Sequence, residues 1–422
     1  MAIASTKSRE RKNRLRRDEK PQANAARSAV KVVEQAGGAE VASGDAERNA
    51  RASFQQAVRR LDWSLIGIIL GIKTLVFVFG AASYQALTNK AVGGAHGWLE
   101  IWNRWDALHY QSLARDGYQG TGEARFSLVF YPLYPWLVRV FALLTRDYIV
   151  SAVIVSGLAS IVAGIMLQRL VEFDDSRENA RRAVLFLFIF PTSYFLHIGY
   201  TESLFLALTL GCFVAARREQ WMAAGLLGAL ASLTRINGMI LIPALAVEAF
   251  GHYRVTRRWR WQWLWIGAIA LGCGGYLLLN LHVTGNALSF MKFQREHWFK
   301  TLAPPWSGLR EIVNSIAWRA PSEAQMTGVQ ELFFVLLGAV CTVLCWLKLR
   351  PAYGVWIMLN LLLVTSTSFI LSVPRYTLIM FPIFILFAKC AARRLCDVVL
   401  TVWSLLFLAL FASLFVQGRW AF

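Results

Sequence analysis

Charge is scarce in this chain. Only 16% of its 422 residues are Asp, Glu, Lys or Arg, and 25 acidic residues face 44 basic ones, for a formal net charge of +19. A soluble basic protein spreads its charge over a large polar surface, and so few charged residues cannot make one. The scarcity argues against a soluble nucleic-acid binder despite the positive balance. Cysteine is scarce too: six residues, all within apolar runs or beside arginines and none in the long polar loops. No disulfide framework is expected from that placement. Cys341 and Cys345 share a helix face at i, i+4, but with no His or carboxylate nearby they read as packing rather than a metal pair. An apolar segment is missing before Leu61, so residues 1–60 hold no signal-peptide core. They carry fourteen basic and seven acidic side chains among Ala, Gly and Ser, and are expected to form a disordered cytoplasmic tail. The tail's net +7 reads as a positive-inside retention signal, with lipid-headgroup binding as the alternative.

What is abundant is apolar: 56% of residues are hydrophobic. They come in runs of roughly 15 to 25, about the length an α-helix needs to cross a hydrocarbon core ~30 Å thick. The expected fold is an all-α polytopic membrane domain over 61–422. A first span at 63–84 leaves the tail, and a polar, Trp-rich first outer loop, 85–148, follows. If the run 126–144 within that loop crossed the membrane, Arg169, Arg177, Arg181 and Arg182 would face outward, against the positive-inside rule. A helix broken by Pro132 and Pro135 and lying along the outer surface repairs the pattern. Further spans are expected at 149–170, 183–199, 203–217, 221–236, 238–250, 263–282, 329–347, 352–371, 375–391 and 397–416. That makes about eleven transmembrane helices, with a long outer loop at 283–328. Merging 221–250 into one bent helix would flip everything downstream.

Topology leaves four polar clusters at the outer face that charge orientation does not explain. They are Trp102–Tyr110 with Ala114–Tyr118, then Tyr200-Thr201-Glu202-Ser203, Thr234-Arg235-Ile236-Asn237-Gly238, and Pro374-Arg375-Tyr376. An ionisable group at the centre of a membrane helix costs about 2.5 to 3.5 kcal/mol on insertion scales, so it usually has a partner or a task. Glycosyl transfer needs a carboxylate as general base and donors that stabilise a departing phosphate. Asp106 suits the first role, and the guanidinium forks of Arg235 and Arg375 suit the second. Trp102, Trp105, His109 and Tyr110 could stack on or cap a sugar. Plainer readings stand beside these. Asp106 could pair with Arg104 or Arg115, Trp102 and Trp105 could anchor a flat helix at the interface, and Glu202 with Arg235 could be an interhelical ion pair. His197 and His282, on apolar runs, read as core polar residues.

These residues also carry a resemblance. The run Arg104-Trp105-Asp106-Ala107-x-His109-Tyr110, with Ala114 and Gly117-Tyr118 beyond it, is followed by Phe130-Tyr131-Pro132-Leu133-Tyr134-Pro135. This resembles the first outer loop of the second mannosyltransferase of GPI-anchor synthesis and its prokaryotic relatives. Tyr200-x-Glu202-Ser203-Leu204-Phe205 and Thr234-Arg235-x-Asn237-Gly238 match two further motifs in the same order. Gln294-x-x-x-Trp298 and Pro374-Arg375-Tyr376-x-Leu378-x-x-Phe381-Pro382 resemble segments of bacterial members. The likeness covers roughly 63–390 and leaves out the tail. It implies a GT-C glycosyltransferase in the plasma membrane whose active site opens outward. Such an enzyme would move mannose with inversion from a polyprenyl-phosphate donor to a lipid-linked or cell-envelope glycan acceptor. By the resemblance Asp106 is the base and Glu202 assists it; from their own chemistry Arg235 and Arg375 are expected to hold the donor phosphate. Trp105, His109, Tyr110, Asn237, Tyr376 and Gln294 are the substrate-binding candidates. No cofactor is required by the pattern, though Asp106, Glu202 and Asp116 could bind a divalent cation, Mg2+ or Mn2+. Rival readings are a lipid or glycolipid flippase, which would show inverted repeats that this chain lacks, and a protein O-mannosyltransferase or aminoarabinose-type transferase, which would carry a different first-loop acidic motif.

Overall fold

A computed structural model describes residues 62–422, and the chain divides after Asp62. The tail reading of 1–60 lies outside the described residues. Among the described residues there is no β-strand, only one isolated antiparallel bridge between Leu302 and Thr367. The helices run α1 Trp63–Thr88, α2 Gly94–Glu100, α3 Asp106–Asp116, α4 Leu133–Thr145, α5 Tyr148–Glu172, α6 Arg177–Ile189 and α7 Glu202–Arg217. They continue as α8 Trp221–Thr234, α9 Leu241–Thr256, α10 Ile269–Thr284, α11 Ser289–Glu296, α12 Pro305–Trp318, α13 Gln330–Lys348, α14 Pro351–Thr365, α15 Val373–Thr377, α16 Pro382–Cys390 and α17 Arg394–Val416. Short 3-10 turns at Glu123–Val129, Ser193–Leu196, Ile236–Ile240 and Trp261–Ala268 join some of them.

Each of the eleven expected spans holds helix. By length and composition, however, five stretches are long and apolar enough to cross a membrane: Trp63–Thr88, Tyr148–Glu172, Trp261–Thr284, Gln325–Lys348 and Arg394–Val416. The helices α6, α7, α8, α9, α14 and α16 are shorter, 9 to 16 residues. At ~1.5 Å per residue these reach about 14–24 Å, less than the apolar thickness. They are short for a shared reason. α6 stops before Pro191, α7 begins at Glu202, α8 ends at Arg235, and α14 gives way to the loop before Arg375. The breaks lie at the polar clusters, where irregular backbone at membrane depth is tolerated because protein surrounds it.

Local chemistry sets many helix starts. The Asp147 carboxylate accepts the Ile149 and Val150 amides at 2.8 and 3.0 Å to open α5, and Ser176 accepts the Asn179 amide to open α6. Prolines in the first turn open α12, α14 and α16, where a missing N–H costs nothing. The run 126–144 is broken as expected: the 3-10 turn Glu123–Val129 and α4 are bent by 111° across a gap that holds Pro132.

The segment 221–250 is two helices. Arg235 takes extended backbone between them, and a Cβ on Gly238 would sit 2.3 Å from the Ser232 amide nitrogen. Six residues of continuous helix would span ~9 Å, so the chain turns back on α8 here, and only glycine fits. Close crossing of α8 and α10 is likewise made by small residues, since a Cβ on Gly272 would meet the Ala229 carbonyl oxygen at 1.9 Å.

Two expectations change. Trp102 is no interfacial anchor: it is fully buried, its ring against Phe77, Tyr194 and Phe415 and over Gly80. Large aromatic area gains most from burial, and the glycine on α1 makes room for it. His197 is a core residue as read, but His282 stands on an exposed face of α10.

Candidate active site

Four polar clusters, far apart in sequence, meet in one chain of ion pairs. Arg375 Nη1 lies 2.8 Å from Asp106 Oδ2, and Arg375 Nε lies 2.8 Å from Glu202 Oε1, the second contact being an ion pair without hydrogen-bond alignment. Arg235 Nη1 donates to the same Glu202 oxygen at 2.6 Å and to Thr201 Oγ1 at 2.9 Å. Two arginines and two carboxylates thus form one chain of contacts. Glu202 and the two arginines are buried, whereas the Asp106 side chain is 22% exposed. Asp106 pairs with neither sequence neighbour. Arg115 bonds Asp116 at 3.0 Å, and Arg104 donates to the Ile101 carbonyl at 3.2 Å.

The backbone aims these groups deliberately. Asp106 and Glu202 are the first residues of α3 and α7, where the helix dipole favours negative charge. Trp105, just before Asp106, sits at φ +52°, a conformation that costs a bulky residue of order 1–3 kcal/mol and persists only where the surroundings impose it. Ser372, ahead of α15, sits at φ +71°. Its amide and that of Val373 donate to the fully buried Glu331 carboxylate at 2.6 and 2.7 Å, which pins the turn that presents Arg375. The Tyr134 hydroxyl lies 2.9 Å from Ser156 Oγ, and Ser156 donates to the Tyr200 carbonyl, tying the Pro-Leu-Tyr-Pro motif to the Glu202 turn.

Aromatic rings surround the ion chain. Arg375 lies over Phe195, Tyr200 and Tyr376, and Arg235 lies over Tyr376 at 5.2 Å. His109, one turn along α3 from Asp106, stacks on Phe130 at 5.0 Å and meets the edge of Trp298 at 5.4 Å. Burial pushes the His109 imidazole below its ordinary value, against an upward pull from Asp106 and with a further downward push from His297, so the ring is neutral at physiological pH. Tyr110 is held protonated by burial and by Asp106 beside it. Asp116 is drawn down by its hydrogen bond from Arg115.

Of the substrate-binding candidates, Trp105 is 42% exposed, and His109, Tyr376 and Gln294 are half-buried. Tyr110 and Asn237 are buried, the latter donating to Asn360 at 2.8 Å. No group of three His, Cys, Asp or Glu side chains that could hold a metal ion occurs among the described residues. Arg375 lies between Asp106 and Glu202, and Asp116 is at the other end of α3, so those three carboxylates do not converge on a cation. Sequence reasoning missed Glu331 as the anchor of the turn before Arg375 and Thr201 as a partner of Arg235. A lone carboxylate opening the apolar run 329–347 was the available signal for the first.

Residues 131–274 match the family model described as dolichyl-phosphate-mannose-protein mannosyltransferase, a stretch that includes Glu202, Arg235 and Asn237 but not Asp106 or Arg375. GPI mannosyltransferase 2 of Schizosaccharomyces pombe is 30% identical over 162 residues, 37% of this chain and 33% of that protein. GPI alpha-1,6-mannosyltransferase 2 of Rattus norvegicus is 30% identical over 174 residues, 38% of this chain and 33% of its own length. The matched segment therefore spans about a third of the curated relatives. Among solved structures, ArnT from Cupriavidus metallidurans bound to undecaprenyl phosphate aligns at 15% identity and TM-score 0.45, over 83% of this chain and 76% of that one. Residues 131–274 are similar to the mannosyltransferase family model, and over more than a third of its length the chain is similar to GPI mannosyltransferase 2.

Proposed function

We propose that the protein is a membrane mannosyltransferase that moves mannose from a polyprenyl-phosphate donor to a hydroxyl of a lipid-linked or cell-envelope acceptor, with inversion. The observation that carries this reading is the single guanidinium of Arg375 shared by Asp106 and Glu202. In the reaction the acceptor hydroxyl gives its proton to Asp106, the more accessible of the two carboxylates. Its oxygen forms a bond to the anomeric carbon, and the carbon–oxygen bond to phosphate breaks with its electron pair leaving on the phosphate. Arg375 and Arg235 meet that charge. As Asp106 takes the proton, its claim on Arg375 weakens, so the guanidinium turns toward phosphate at the moment charge develops there. Glu202, paired to both arginines, holds them in place. Trp105, His109, Tyr376 and Gln294 are the groups open to the sugar, while Tyr110 and Asn237 act through the neighbours they bond.

The active site opens to the outer face, with the chain's N-terminus in the cytoplasm, as the distribution of arginines supports. The test is Asp106→Asn, assayed with polyprenyl-phosphate mannose. Removal of a general base costs about 10^2 to 10^4 in rate. A loss of that size in a folded variant is expected, and unchanged turnover would sink the assignment. Mass spectrometry of lipid-linked glycans with and without the gene identifies the acceptor.

A further inference from the structure

The charges of the proposed site cancel before any substrate arrives: Arg235 and Arg375 are balanced by Asp106 and Glu202. A donor phosphodiester brings one negative charge into this buried place, and nothing in the ion chain is left over to meet it. Lys300, from the long outer loop, is different. Its ammonium lies 6.0 Å from the centre of the Tyr376 ring and 5.7 Å from that of Phe369, and it makes no direct ion pair among the described residues; the carboxylate its charge reaches, Glu331, has both oxygens bound by the Ser372 and Val373 amides. Arg235 and Arg375 lie over the same Tyr376 ring, so three cations surround one phenol, and Lys300 is the one of them without a direct ion pair among the described residues.

The position of Lys300 is built by the backbone. Its amide donates to the Gln294 carbonyl at 3.1 Å. The residues after it are strapped to the strand-like segment ahead of Arg375: Ser368 donates to the Thr301 carbonyl at 2.9 Å, Ala303 donates to that of Ser366 at 3.2 Å, and Leu302 bridges Thr367. The long outer loop is thereby fastened beside the turn that carries Arg375.

We propose that Lys300 is the phosphate-binding cation that neutralises the donor, a role that rests on the mannosyl-transfer reading. With the Glu331 carboxylate left to the two backbone amides that bind it, the ion chain, Lys300 and the phosphate sum to zero at both ends of the reaction. Before transfer, three cations meet two carboxylates and a singly charged phosphodiester. Afterwards Asp106 has taken the acceptor's proton and lost its charge, while the released phosphomonoester carries close to two negative charges near pH 7. Without Lys300 the site would hold an excess negative charge throughout, in surroundings that screen it poorly.

The experiment measures binding of a polyprenyl monophosphate and of the uncharged polyprenol to the full-length protein in nanodiscs, for wild type, Lys300→Gln and Lys300→Arg. Expected is phosphate binding about tenfold or more weaker in Lys300→Gln, the scale of one lost charge-assisted contact. Lys300→Arg recovers most of it, and polyprenol binding stays the same in all three. With the mannosylated donor, KM rises by a similar factor while kcat changes less. Equal phosphate binding by wild type and Lys300→Gln overturns the role of Lys300 and leaves the mannosyl-transfer reading intact. Equal weakening toward phosphate and polyprenol also overturns it, because that marks a structural residue. Failure of the wild type to bind the phosphate at all overturns the donor reading, and this proposal with it.

Discussion

The two ends of α7 are near mirror images. At its first residue, Glu202 faces two arginines; at its last, Arg217 faces two carboxylates, with Asp174 at 2.5 Å and Glu248 at 3.8 Å. Both placements suit the helix dipole, which favours an acid at the start and a base at the end. Around Arg217, Arg350 pairs with Glu248 at 2.7 Å and Asp174 at 3.5 Å, Lys389 pairs with Asp175, and Arg260 with Glu219. Every member of that far cluster finds its opposite. The Glu202 end is not so complete. Glu202 Oε2 is buried with no hydrogen-bond partner, Lys300 makes no direct ion pair among the described residues, and tyrosines and Phe195 stand where the far end has more ions. Equal ingredients therefore support different purposes: a closed network locks helix ends together, and an open one has valence left for a ligand.

The sharpest way to break this contrast is to remove the central cation at each end. Arg375→Gln leaves Asp106 and Glu202 without their shared partner and removes the donor proposed to meet the departing phosphate. Loss of one such donor costs about 10^2 to 10^3 in rate. That loss, read as kcat in the mannosyl-transfer assay on protein that elutes as a folded species, is the largest effect expected here. Arg217→Gln is expected to behave oppositely. Removing one partner of an ion pair that is mostly buried destabilises by about 3–5 kcal/mol at most. Arg350 still covers both carboxylates, so the cost should fall below that, roughly 1–3 kcal/mol. Thermal unfolding in detergent measures it, and turnover of the folded fraction should stay within about threefold of wild type, since no group at that end touches substrate. Comparable activity losses from the two variants would erase the distinction between the ends.

Much of this arrangement is readable from sequence, and what is not has a physical reason. The apolar runs place helix in each of the eleven expected spans, because length and hydropathy are local properties, whereas the short helices α2, α3, α11 and α12 in the polar loops were not read. The split of 221–250 at Arg235 and the bend before α4 follow from Gly238 and Pro132, also local. The convergence of Asp106, Glu202, Arg235 and Arg375 was expected only as residues on one side. Which carboxylate meets which arginine depends on contacts between segments from 33 to 269 residues apart, and a sequence holds no distance of that kind. Trp102 shows the limit well: its motif neighbour Trp105 is exposed and Trp102 is buried, a difference set by Gly80 on another helix. Glu331 was missed because its partners are backbone amides of Ser372 and Val373, which have no residue signature.

A smaller effect tests the closed end through pH. Burial pushes the Asp174 carboxyl up, but the Arg217 hydrogen bonds and charge, with Arg350 and Lys389 behind them, more than reverse this and hold it below its ordinary value. Asp175 is likewise pushed up by burial and drawn down by its hydrogen bonds from Lys389, Asn179 and the Ser176 amide. A carboxyl whose folded value lies below its unfolded one stabilises the protein fully above the unfolded value, and the contribution is lost as pH falls through the folded value. The part of the wild type's stability that these two carboxyls supply should therefore be nearly flat from neutrality to about pH 5 and fall below that. Asp174→Asn lowers the midpoint at neutral pH and makes the acid fall shallower, because one titrating partner is gone while Arg217 and Arg350 keep Glu248. Identical acid slopes in the two proteins would place the sensitivity outside this cluster and remove the claim that the α7 C-terminus is a closed electrostatic lock.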